Sequence, residues 1–250
     1  MNKKIDSVDW KKVVASEQCS PKTLRNAWGL VSAAMRNVGI APPVLALPEI
    51  VTEEHPFLQP EQIPVFQKAI EGSPVELAAL LGLHSLRRSE IYDLTMNDID
   101  IDNGTIRVKG AAVLDKSGKL VHKKENKNKT STRTVPIMMP RLTELLTELK
   151  AEEKDGYLVD YYSNRVYKLV NAACKKNNLP EIGCHGLRHS FVSLAYHLGW
   201  DELTTMRIAG YSDFNTMRRI YTHLAESDKN RNIDKMAQFF SGKSTTATNN

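Results

Sequence analysis

GTIRVKGAAVLDKSGKLVHKKENKNKTSTRTVPI, residues 104–137, is the stretch that sets the fold class. Here the apolar residues leave helical spacing and begin to alternate, the pattern of half-buried strands. Thr105–Val108, Ala112–Leu114, Leu120–His122 and Thr132–Ile137 read as short strands. Gly104, Ser117-Gly118 and the Asn126–Asn128 region supply the turns between them.

On both sides the period is helical. Ser20 and Pro21 open a helix, with serine as cap and proline in the first turn. Leu24, Ala27, Trp28, Val31, Met35 and Val38 follow at helical spacing, and Gly39 ends the run. Pro42, Pro43 and Pro48 then mark a linker. Pro60–Ile70 and Pro74–Leu83 read as helices, the second opened by Ser73. Beyond the strands come Pro140–Glu152, Ser163–Lys176, His185–Leu198, Asp201–Ala209, Asn215–Glu226 and Asp234–Phe240. The expected class is α+β, mostly α. A helical domain over residues 53–240 carries a small antiparallel sheet or hairpin. A short helical segment over 1–52 precedes it, and the apolar-free SGKSTTATNN of 241–250 is expected to be disordered.

Composition narrows the function classes. The 250 residues are 25% charged and 41% hydrophobic, enough to build a core. That excludes a disordered polymer, a collagen-like repeat and a disulfide miniprotein. Cys19, Cys174 and Cys184 make no paired framework, which points to a reducing cytoplasm. No apolar run is long enough for a membrane helix, and MNKKIDSVDWKK is not a signal peptide. The net charge of +5 hides a concentration: Arg107 to Arg133 holds nine basic and two acidic residues, so the rest of the chain sums to −2. Such a run is either a solvated lysine-rich loop or a basic finger for a phosphate backbone.

Four segments share one chemical theme. SLRRSEI sets Arg87 and Arg88 at a helix start with Glu90 close behind. KTSTRTVPI sets Lys129 before a strand, HGLRHS puts His185 and Arg188 on one helical face, and AGYSDFNTMRRIYTHL carries Tyr221 after a glycine turn. In order and spacing these boxes resemble the tyrosine recombinase (phage integrase) family, over roughly residues 20–240. The resemblance implies catalytic roles for Arg87, Lys129, His185, Arg188, Tyr211 and the nucleophile Tyr221. Glu90 is expected to hold an arginine in place, and Lys123, Lys124, Lys127 and Arg133 to contact DNA.

The chemistry agrees with those roles. Cutting a phosphodiester without metal needs a nucleophile, an acid for the leaving oxygen and fixed positive charge. A tyrosine phenol supplies the first, a hairpin lysine the second, and two guanidinium forks the third. His185 either hydrogen-bonds the phosphate or relays a proton. The implied activity is site-specific DNA recombination through a 3′-phosphotyrosyl intermediate. It needs no cofactor, and its partners are double-stranded DNA and further copies of the chain, as a tetramer on DNA. No membrane or small-molecule substrate is implied.

The departures define the alternatives. Tyr211 stands where the family usually has His or Trp, and Ser85 where it usually has glycine. The segment before the linker resembles only the last part of the family's helical domain, as a fragment or a shortened member would. A DNA-binding remnant without catalysis, or a type IB topoisomerase-like relaxing activity, are the rival readings. Arg87 and Arg88 are adjacent, so one alone is expected to face the site, with Arg88 on the surface or against backbone. Lys127 rivals Lys129, and the following KT pair favours Lys129. Tyr221 shares a helical face with Met217, Ile220 and Leu224, the spacing of an ordinary core tyrosine. Cys184, His185 and His189 lack zinc-site spacing, so no metal is expected. Gly242–Ser244 lacks the earlier glycine of a phosphate loop. Met236, Phe239 and Phe240 suit either a terminal helix packed on its own core or one docked on a neighbouring protomer.

Overall fold

A computed structural model describes residues 8–50, 56–117, 119–123, 132–159, 164–227 and 229–241. The expected disordered tail therefore lies, but for Ser241, outside the described residues. The chain divides into two compact units between Glu54 and His55.

In the first unit, α1 (Trp10–Ser16) and α2 (Pro21–Asn37) are each capped by a side chain. Asp9 accepts from the Lys12 N–H at 3.1 Å and Ser20 from the Thr23 N–H at 3.2 Å. The first helix has no counterpart in the sequence expectations. Its contact is aromatic: the Trp10 and Trp28 rings lie 5.5 Å apart. Arg25 of α2 donates to the carbonyls of Leu47 and Pro48, which ties the proline-rich segment back onto the helix.

The second unit is built around α4 (Glu76–Leu83), buried on every side. Ala78, Ala79, Leu80, Leu81 and Leu83 are all buried, so the helix reads as apolar all round rather than amphipathic. Around it stand α3 (Gln62–Ile70), the single turn α5 (Arg88–Ile91), α6 (Pro140–Ala151), α7 (Asn164–Lys176) and α8 (Cys184–His197). Gly186 lets α8 approach closely, since a Cβ there would lie 2.6 Å from the Pro56 carbonyl oxygen. The helices α9 (Glu202–Ala209) and α10 (Phe214–Ser227) pack on α8, and α11 (Lys229–Phe240) packs on α10.

Ser73 does not open α4. It closes a turn, with its carbonyl accepting from the Glu76 N–H at 3.0 Å, and the helix starts three residues later. The Glu76 carboxylate instead takes the Gly72 N–H at 2.8 Å.

The strands are β1 (Ile99–Asp100), β2 (Thr105–Val108), β3 (Ala111–Leu114), β4 (Leu120–Lys123) and β5 (Arg133–Pro136). They form two antiparallel sheets, β1-β2-β5 and the hairpin β3-β4. Ile106 pairs with Val135 at the centre of the larger sheet, both fully buried. No described helix is long and apolar enough to cross a membrane.

Candidate active site

The site begins where α4 ends. His84 is buried, with Nε2 2.7 Å from the Pro136 carbonyl, and the chain then turns at Ser85 with φ of +77°. That left-handed conformation costs an L-residue about 1–2 kcal/mol and explains why glycine is usual there. Among the described residues the Ser85 hydroxyl donates only to the Ile208 carbonyl, at a long 3.4 Å. Ser85→Gly is therefore expected to stabilise the fold by up to about 1 kcal/mol in urea unfolding, after the entropy glycine adds to the unfolded chain. A loss of stability would show that the hydroxyl matters more than the backbone strain.

The turn aims Arg87. Its backbone N–H donates to Glu90 Oε2 at 2.8 Å, Nη1 to Glu90 Oε1 at 2.9 Å, and Nη2 to the Gly210 carbonyl. Glu90 is nearly buried and holds a second arginine: Arg133 Nη1 and Nη2 donate to its two oxygens at 2.8 and 2.9 Å. Burial works to lift the Glu90 carboxyl, but the Arg133 and Arg87 hydrogen bonds and charges overcome it and hold the group below the usual carboxylate range.

Arg133 also donates from Nε to the Ile208 carbonyl at 3.1 Å, and its side chain is 11% exposed. This corrects its reading as a DNA contact. Arg133 shares the inward face of β5 with Val135, and its guanidinium is committed to Glu90. The alternation that placed Val135 inside carried the signal. Gly210 is the left-handed cap of α9 at φ +66°, and a Cβ there would lie 2.6 Å from Arg133 Cζ. Only glycine fits.

Arg188 lies one turn into α8 and is 2% exposed. Nη1 donates to the Ser85 carbonyl at 2.6 Å, and the guanidinium sits 4.1 Å from the centroid of the Tyr211 ring. Nη2 is buried with no hydrogen-bond partner among the described residues. Burial pulls this guanidinium down to about 10, still charged at neutral pH. The Tyr211 hydroxyl is near enough to offset part of that burial but falls short of hydrogen-bond geometry. His185 is exposed at the start of the same helix, with Nε2 2.8 Å from His189 Nε2.

These groups converge. A cavity of about 560 Å³ is lined by Arg87, Arg188, His185 and Tyr211, together with Arg88, Ser89, Tyr167, Gly183 and Cys184. Both arginines line the cavity, where their adjacency predicts that one alone would face it. Arg87 is an extended cap (φ −72°, ψ 151°) and Arg88 the first helical residue, so the two side chains diverge yet reach one space. The wall made by Tyr167 and Gly183 had no signal in the sequence boxes.

Tyr221 is not among the lining residues. It is 7% exposed, its hydroxyl 2.7 Å from Thr205 Oγ1 and 3.4 Å from the Trp200 carbonyl, its ring edge-on to Tyr196 at 5.3 Å. Burial raises its phenol above the ordinary range, and the Thr205 hydrogen bond offsets only part of that. Lys123 ends β4, while Lys124, Lys127 and Lys129 lie outside the described residues. Among the described residues no cluster of His, Cys, Asp and Glu is arranged to hold a metal.

The phage integrase family model matches residues 56–228. The tyrosine recombinase XerC-like protein of Caldanaerobacter subterraneus subsp. tengcongensis is 26% identical over 220 residues, covering 77% of this chain and 56% of its own. The tyrosine recombinase XerA of Saccharolobus solfataricus is 28% identical over 193 residues, covering 77% and 59%. The chain thus spans little more than half the length of these curated relatives. In fold it is similar to the Tn1549 transposon integrase in complex with transposon right end DNA. That match has a TM-score of 0.72 at 21% identity and covers 94% of this chain and 87% of the other. XerH bound to palindromic difH substrate matches at a TM-score of 0.62 and 20% identity, covering 95% and 74%.

Proposed function

This chain belongs to the phage integrase family, and we propose that it is a site-specific recombinase that cuts and rejoins double-stranded DNA through a 3′-phosphotyrosyl bond. The observation that carries this reading is a convergence: Arg87, Arg188 and His185 line one cavity, and Arg188 is a buried guanidinium whose Nη2 has no hydrogen-bond partner among the described residues. Among the described residues Arg188 makes no ion pair, Glu90 acting on it through charge alone, and a buried cation so placed attracts an anion. A phosphodiester supplies one, and the fork geometry of guanidinium matches its non-bridging oxygens.

The chemistry then runs as follows. Arg188 and the remaining donors of Arg87 hold the non-bridging oxygens. Their attraction grows as charge develops in the pentacoordinate transition state, more strongly in this shielded site than in water. Tyr211 offers its ring face to Arg188 and keeps the guanidinium plane in place. Tyr221 attacks phosphorus, its oxygen forming the new bond as the phenol proton passes to solvent water. The bond from phosphorus to the 5′ oxygen breaks, and Lys129 protonates that oxygen. Phosphodiester energy is retained, so a second 5′-hydroxyl reverses the step without a cofactor. Two duplexes are exchanged, which calls for a homo-oligomer on DNA, a tetramer in this proposal.

This reading requires α10 to carry the Tyr221 hydroxyl away from Thr205 and to the cavity. That same sequestration favours a second reading, a chain that binds DNA without cutting it. A nicked suicide duplex carrying the element's own recombination site separates the two. A covalent protein–DNA band that survives denaturing detergent supports the recombinase. Salt-sensitive binding with no such band supports the second reading.

A further inference from the structure

We propose that Arg88 and Tyr167 form a second subsite in this cavity, which takes the sugar-phosphate adjoining the scissile phosphodiester on the same strand. The subsite rests on reading the cavity as a DNA site. At about 560 Å³ the cavity is within the range, roughly 300–1,000 Å³, that encloses a drug-sized ligand. A single phosphate held by Arg87 and Arg188 leaves much of it unfilled.

The remaining lining residues suit a second anion. Arg87 is drawn to Glu90 and Gly210, whereas Arg88 makes no ion pair among the described residues and lines the cavity beside Cys184. Below it the N-terminus of α8 has Gly183 as its cap, with no side chain accepting from the first-turn N–H groups. Arg188, on the same helix and buried with Nη2 unpartnered among the described residues, lines this cavity as well.

Tyr167 closes the wall. Its ring lies so close to Gly183 that a Cβ there would be 3.1 Å from Tyr167 Cδ2, yet the residue is 54% exposed. An exposed aromatic ring beside an arginine offers an apolar face for a deoxyribose and a charge for its phosphate. Adjacent residues thus serve adjacent phosphates: Arg87 the reacting one, Arg88 its neighbour.

The test uses the full chain and a short duplex of generic sequence, so it does not depend on cleavage. Affinity is measured against salt, and alkylation of Cys184 by a maleimide is followed by peptide mass spectrometry. Bound duplex is expected to protect Cys184. Arg88→Gln is expected to flatten the slope of log affinity against log salt by about 0.9, one phosphate contact, and to raise the DNA concentration needed for protection. Tyr167→Ala weakens binding with the slope unchanged, and Tyr167→Phe restores it. The subsite is overturned if saturating duplex leaves Cys184 alkylation unchanged, or if Arg88→Gln keeps the wild-type slope while remaining folded by thermal unfolding. Should the suicide duplex give no covalent band while these results hold, cleavage fails and the subsite stands as part of a binding site.

Discussion

Tyr221→Phe is expected to abolish the covalent DNA adduct while leaving duplex affinity and fold nearly unchanged. The variant removes one oxygen, the proposed attacking atom, and no other described group near it replaces that chemistry. The structural cost is small because Thr205 is not orphaned: its hydroxyl also hydrogen-bonds the Asp201 carbonyl at 3.0 Å. Loss of one neutral hydrogen bond costs about 1 kcal/mol. Burial also raises the Tyr221 phenol, and this gives a second readout. The unfolded chain loses that proton near pH 10, as an ordinary tyrosine does, while the folded chain still holds it. The stability this contributes is fully present at neutral pH and is lost as pH rises past about 10. Tyr221→Phe should remove that part of the alkaline decline in urea-unfolding stability. An adduct that persists in the variant would name a different nucleophile. An unchanged alkaline profile would show that the hydroxyl is not sequestered in solution.

The parts of this molecule legible from sequence are those where one local rule decides. The cap of Ser20, the helical spacing of Leu24 to Val38 and the alternation of Thr105–Val108 each left one choice, and the elements stand there. Where two local rules compete, the reading slipped. Ser73 is a good cap, but the turn that brings Glu76 back onto the Gly72 N–H needs those residues outside the helix. The split of the strands into two sheets depends on tertiary register, which alternation does not encode. The site shows the same division. Residue type and order bring Arg87, His185, Arg188 and Tyr211 to one cavity, because chemistry constrains them. Arg133 looked like a finger residue because charge was counted along the chain, whereas its partner Glu90 lies 43 residues away. The Tyr221 hydroxyl could be placed by neither rule, since core spacing and a nucleophile box coincide at that residue.

Glu90→Ala is expected to be the most damaging single substitution to the site's framework, at about 3–5 kcal/mol of unfolding free energy, the usual cost of stripping one partner from a buried ion pair. The carboxylate does three things at once. It caps the Arg87 N–H, fixes the Arg87 guanidinium, and neutralises Arg133 through a two-pronged pair at 2.8 and 2.9 Å. Without it Arg133 keeps the Ile208 carbonyl alone, as a charge only 11% exposed. Glu90→Gln should fall between wild type and Ala, because the amide retains one acceptor oxygen but no charge. The pH dependence follows from the lowered carboxyl. Its stabilisation is complete above the ordinary carboxylate range and is lost as pH falls through the folded-state value. Both variants should therefore show a shallower acid decline than wild type. DNA affinity should fall too, since Arg87 loses the anchor that aims it into the cavity. Urea unfolding across pH decides the matter: a loss below about 1 kcal/mol for Glu90→Ala, or an acid limb identical to wild type, would mean that the two arginines are held by something other than this carboxylate.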